Sequence, residues 1–217
     1  MRTSSAILLA CFLFAVGAQA QGFKFSEPTP ADRAEAAARA QRQQAIAAQL
    51  AAPCRDRIRN RKIMVLIGEE INGMVMADQG GFSRHVEALN WRLRALGLNT
   101  YSPEEIRRQI AQEEIDAYFK NNPDRALSAA RRLSAQYVLR GVIATSAVAN
   151  PMLYVNQVRV NMNFTLADAA GHPVSVASAS NQSYAGSDVA GMALTLIDER
   201  ADEVVARLYS DYCRNAR

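Results

Sequence analysis

Histidine, tryptophan, cysteine and lysine are all scarce in this chain of 217 residues. The two histidines, His85 and His172, have no second metal ligand three or four positions further on, so no zinc spacing is present. Glycine-rich phosphate loops and a G-x-S-x-G elbow are missing too. Dense Arg/Lys interleaved with aromatics does not occur, which argues against a nucleic-acid platform. The net charge of +4 is mild. No apolar run reaches the roughly 20 residues that span a bilayer. These absences predict a chain that is not an enzyme, with no cofactor, no metal, no nucleic-acid partner and no transmembrane segment after leader cleavage.

What is present begins with MRTSSAILLACFLFAVGAQA. Arg2 supplies a positive start, Ala6 to Val16 an apolar stretch, and Ala18-Gln19-Ala20 the small residues a signal peptidase reads. This pattern predicts a secretory signal peptide over 1–20, cleaved after Ala20, and a periplasmic mature protein. Leu8-Leu9-Ala10-Cys11 offers a rival, a lipobox with a lipidated Cys11 and outer-membrane attachment. Too few apolar residues precede Cys11, and the run continues past it, so cleavage after Ala20 is preferred. Losing Arg2 takes the charge from +4 to +3.

Two cysteines survive cleavage, Cys54 and Cys213. In an oxidising compartment an even pair predicts a disulfide. Closing a loop of that length stabilises by roughly 5 kcal/mol in the chain-entropy model.

Residues 21–61 read as a polar, alanine-rich tether. QGFKFSEPTP is aperiodic, and ADRAEAAARAQRQQAIAAQLAAP predicts a helix over about 31–51, with Pro30 in its first turn and Pro53 as its stop. Arg55, Arg57, Arg59 and Arg61 share one wet face if the lead-in to the first strand is extended.

Residues 62–213 read as one α/β (α+β) domain. Lys62 to Gly68 is a strand buried on both faces. Glu69 to Gly81 is predicted as a loop. Phe82, Val86, Leu89, Leu93 and Leu96 mark a helix. A short strand at 98–101 follows, then a helix from Ser102 to about Phe119 and another over 125–135. Strands at 136–148, 155–168 and 173–184 form an antiparallel meander, and a long helix from Ser187 or Asp188 to about Tyr212 closes the chain. The architecture is a mixed sheet of about five strands, with an opening βαβ unit and helices packed on it.

Four stretches carry a resemblance. KIMVLIGEE (62–70), AARRLSAQYVLRGVIA (129–144), FTLADAAGHPV (164–174) and the helix from Asp188 to Tyr212 resemble a group of bacterial envelope α/β domains. The group includes the CsgG-type curli secretion protein, LpoB-type peptidoglycan synthase activators, FlgT and the TolB N-terminal domain. Gln136 stands where that group usually has an acidic residue, and Ala170 where it has threonine. The resemblance implies a non-catalytic accessory or scaffold protein binding another envelope protein in a secretion, flagellar or peptidoglycan assembly, and sometimes forming homo-oligomers.

Candidate partner-binding residues are Met74 and Met76 in the loop and Met152, Leu153 and Tyr154 between strands. The sheet edge and the 21–53 arm are further candidates. An alternative function is a small-ligand or cation-binding module in which Glu69, Glu70 and Asp78 of loop 69–81 converge.

Overall fold

The computed structural model of the chain describes residues 28–215 apart from Asn72, Asn121 and Leu153. The expected leader over 1–20, Cys11 and Leu153 therefore lie outside the described residues. The chain divides into two units, residues 1–38 and 39–217. A helix, α1, runs over Pro30–Leu50, and none of its residues is buried. Thr29 caps it, its hydroxyl accepting from Asp32 N–H at 3.1 Å.

The second unit is built on a six-stranded sheet. After a helical turn, α2 (Arg55–Ile58), come β1 (Lys62–Ile71) and β2 (Met74–Met76). Then follow α3 (Ser83–Ala95), β3 (Asn99–Thr100), α4 (Pro103–Gln109), α5 (Gln112–Phe119) and α6 (Pro123–Arg132). Strands β4 (Tyr137–Asn150), β5 (Val155–Asp168) and β6 (Pro173–Ala185) lead to α7 (Val189–Asn215). The strand order is β2-β1-β4-β5-β6, with β3 also on β1. β1 and β4 are parallel, and β4, β5 and β6 form the antiparallel meander.

Alternation decides the two faces. Ile63, Val65, Ile67, Val160 and Phe164 pack against α3 and α7. Met64, Leu66 and Val138 pack against Ile106, Ile115 and Phe119 of the α4–α6 side. That second layer stops short of β5 and β6, whose Asn161, Asn163, Ser178 and Ser180 are exposed. α3 and α7 are joined by Arg92, only 6% exposed, which reaches Asp202 at 2.6 Å and Asp198 at 2.8 Å.

Three local expectations are corrected. The loop 69–81 is partly a hairpin: β1 continues to Ile71 and pairs with β2, and Gly73 takes φ 79 at the turn. The helix expected from Ser102 to Phe119 is two. The Ser102–Glu105 capping box forms, but Ile110 is extended and its side chain is buried, so the chain bends inward there. The mixed sheet is as expected, with the short β2 as its sixth strand. Finally, the arginine lead-in is not extended. Cys54 and Ile58 are both buried, and the segment closes a helical turn in which Ile58 N–H donates to Cys54 O at 3.3 Å and Arg59 N–H to Arg55 O at 2.9 Å. Arg57 instead donates to the Cys213 carbonyl at 2.8 Å, satisfying the end of α7.

Candidate interaction surface

The two ends of the sheet differ. At the end where β1 and β4 start, Cys54 and Cys213 form a disulfide with Cα atoms 5.7 Å apart. Around it, Tyr137 and Tyr212 meet edge to face at 5.4 Å between ring centroids, and their hydroxyls are 3.3 Å apart. Burial, then the Tyr212 hydrogen bond, pushes the Tyr137 hydroxyl up to about 12. The β5–β6 turn lies here too. Gly171 takes φ 94, and Asp168 Oδ1 accepts from the N–H of Ala170 and of His172, each at 2.9 Å. His172 Nδ1 lies 3.0 Å from Asp168 Oδ2. Burial raises the Asp168 carboxyl, but the hydrogen bonds from His172 and Ala170 outweigh it, so the net shift is downward.

The opposite end carries the exposed apolar side chains. The β1–β2 hairpin presents Ile71, Met74 and Met76. Ile71 faces Met74 and Glu69 faces Met76, so the three apolar side chains share one face of the hairpin. The β4–β5 hairpin overhangs it. Glu70 pairs with Ala144, and β4 runs on to Asn150, roughly 20 Å further. This hairpin presents Val148, Met152 and Tyr154, and Tyr184 stands two strands across from Val148 through Gln157. Of the large apolar side chains exposed among the described residues, only Trp91 and Val176 lie elsewhere.

Tyr154 is 92% exposed and has φ 52. The left-handed region disfavours a bulky side chain by about 1–2 kcal/mol. Such strain persists where the surroundings impose it, and it concentrates at working surfaces.

Beside β2 is an open cavity of about 820 Å3, lined by Met74, Val75 and Met76 with Phe119, Lys120 and Arg140. The Arg140 guanidinium lies over the Phe119 ring at 5.0 Å and donates to the Phe119 carbonyl at 3.3 Å.

The structure thus brings Met74 and Met76 to the same end as Met152 and Tyr154, and adds Ile71, Val148 and Tyr184. No sequence signal groups these residues, because the parallel β1–β4 register does so. Gln79 carries no sequence signal either. It is fully buried, and its side chain occupies the gap between β3 and β2 on the outer edge of β1. Nε2 donates to Ile67 O at 2.7 Å and to Ala77 O at 2.8 Å, and Oε1 accepts from Ile67 N–H at 3.3 Å.

The carboxylates of 69–81 do not converge. Glu69 and Glu70 are neighbours on one strand and point to opposite faces, and Asp78 Oδ1 accepts from Gly80 N–H at 2.9 Å. Among the described residues no group of three His, Cys, Asp or Glu side chains is placed to hold a metal ion. No helix among them is long and apolar enough to cross a membrane. His85 is partly buried, and desolvation followed by Arg84 lowers its pKa.

No protein-family model and no curated protein matches the chain. Similar solved structures include the PelC dodecamer from Paraburkholderia phytofirmans, at 21% identity over 72% of this chain and 90% of that one, TM-score 0.42. Lipoprotein GNA1162 from Neisseria meningitidis is similar at 13% identity over 66% and 99%, TM-score 0.45. The LpoB C-terminal domain from Salmonella enterica is similar at 17% identity over 64% and 93%, TM-score 0.38. The LpoB-type group that the sequence resembles is therefore represented among them.

Proposed function

We propose that the chain is an exported, non-enzymatic accessory protein of the bacterial envelope that holds a partner protein at the hairpin end of its sheet. The observation that carries this reading is the gathering of Ile71, Met74, Met76, Val148, Met152 and Tyr154 at one end. Exposed apolar groups concentrated in this way mark interaction sites, and methionines adapt to a partner's contour. The signal-peptide pattern supports export, and the Cys54–Cys213 bond suits an oxidising compartment. The four resembling stretches point to secretion, flagellar or peptidoglycan machinery as the setting, with residues 21–61 as a tether and 62–213 as the working body.

A photo-crosslinking residue at Tyr154 tests the reading in living cells. One envelope protein should be captured there, and the Met152→Ser/Tyr154→Ser substitution should abolish its co-purification with the folded protein. Equal capture from position 91, on a helix away from the hairpins, would contradict it.

A further inference from the structure

The outer edge of β6 is long and uncharged. Pro173 to Ala185 contains no Lys, Arg, Asp or Glu, although charge is a common protection of an exposed edge strand. The turn before β6 sets the direction of its main chain. Asp168 N–H donates to His172 O at 3.0 Å, while Ala169 N–H turns the other way to Gln136 O at 3.0 Å. With Met162 opposite Ala179 and Phe164 opposite Ala177, odd-numbered β6 residues turn their N–H and C=O to β5 and even-numbered ones turn outward. Two side chains close the ends of this edge. Asn215 Nδ2 donates to Val174 O at 2.9 Å, and Gln182 N–H donates to Asn181 Oδ1 at 3.1 Å. Between them, the outward main-chain groups of Val176, Ser178 and Ser180 have no hydrogen-bond partner among the described residues.

We propose that this stretch pairs with the same stretch of a second copy of the chain, antiparallel, with Ser178 on the twofold axis. Val176 then lies opposite the partner's Ser180. Three pairs exchanging two bonds each give about six main-chain hydrogen bonds. Val176, Ala177, Ser178, Ala179 and Ser180 are all small and neutral, so a copy meets neither bulk nor like charge. Ser178 and Ser180 also line a polar cavity of about 570 Å3 with Arg200 and Glu203, which are ion-paired at 3.0 Å. One cation beside one anion is complementary to its own twofold image, whereas a strongly acidic or basic strand meets a like charge there. This edge is separate from the hairpin end, so the dimer and the partner-binding reading can fail independently.

Engineered cysteines in the full protein test the pairing, since facing Cα atoms about 5.5 Å apart suit a disulfide. Under mild oxidation Ser178→Cys should give a covalent dimer, and Val176→Cys should join Ser180→Cys in preference to itself. By sedimentation the unmodified protein should be dimeric. Ser178→Pro should weaken the dimer about tenfold or more. Its melting curve should be little changed, because the lost N–H is outside the ladder. Ser180→Lys serves as a second variant with an intact main chain. A monomeric unmodified protein, self-linking of Val176→Cys ahead of the mixed product, or a dimer that survives both Ser178→Pro and Ser180→Lys would overturn the proposal.

Discussion

The Tyr209 hydroxyl donates to the Ala52 carbonyl at 2.6 Å and accepts from Cys54 N–H at 3.4 Å. A residue of the last helix thus holds the main chain on both sides of Pro53, next to the disulfide. Tyr209 is only 1% exposed, so loss of its hydroxyl removes one buried partner from each of these groups and leaves them only their own Cys54 N–H to Ala52 O bond at 2.9 Å. Tyr209→Phe should cost about 0.5–1.5 kcal/mol. Replacing Cys54 and Cys213 by serine should cost roughly 2–5 kcal/mol. Urea unfolding of the two variants, with and without reductant, checks both; only the Tyr209→Phe protein should respond to reductant.

Gln79→Ala should destabilise by about 2–4 kcal/mol, because it strips partners from both Ile67 N–H and Ile67 O on the buried outer edge of β1. Gln79→Leu should be no better, since volume without hydrogen bonding does not satisfy β1. Thermal denaturation gives the loss, and faster amide exchange at Ile67 locates it. A near-neutral Gln79→Ala would mean that the edge of β1 rearranges to bond itself.

Asp168 provides a pH dependence. Its folded pKa is lowered, so its contribution is fully present above the ordinary carboxylate value, near 4, and is lost as pH falls through the folded value. Asp168→Ala should therefore lower the melting temperature at neutral pH, with the gap to the unmodified protein closing in strong acid. Melting curves recorded from neutral pH downward show whether the two converge.

At the hairpin end, stability and binding should separate. Tyr154→Asn relieves the left-handed strain, because asparagine accepts that conformation. It should raise stability by a few tenths of a kcal/mol to about 1 kcal/mol while weakening partner capture. Met74→Ser and Met76→Ser should leave stability within about 0.5 kcal/mol, as expected for exposed positions. Melting temperature and co-purification are the paired readouts.

Much of the fold was legible because it is written in local periodicity. Val158, Val160, Met162 and Phe164 alternate with polar neighbours, and the structure buries those four. Ser102-Pro103-Glu104-Glu105 announces a helix start and forms the full capping box. What was not legible depends on contacts distant in sequence. Met74-Val75-Met76 reads as loop until Glu70 is known to face Val75. The break at Ile110 follows from that side chain's burial, which no spacing predicts. Met74 and Met152 were each conspicuous alone, but their shared end of the sheet follows from the register of β1 on β4. Gln79 looked like an ordinary loop residue because its partners are main-chain atoms.

Cys54 and Cys213 have a mechanical consequence. They are 159 positions apart in sequence yet directly bonded. A pull on the chain ahead of Cys54 against the chain beyond Cys213 is therefore carried by one covalent link and bypasses the sheet. The intervening segment, hairpins included, stays unloaded, and reduction of that link transfers the tension to β1 and α7.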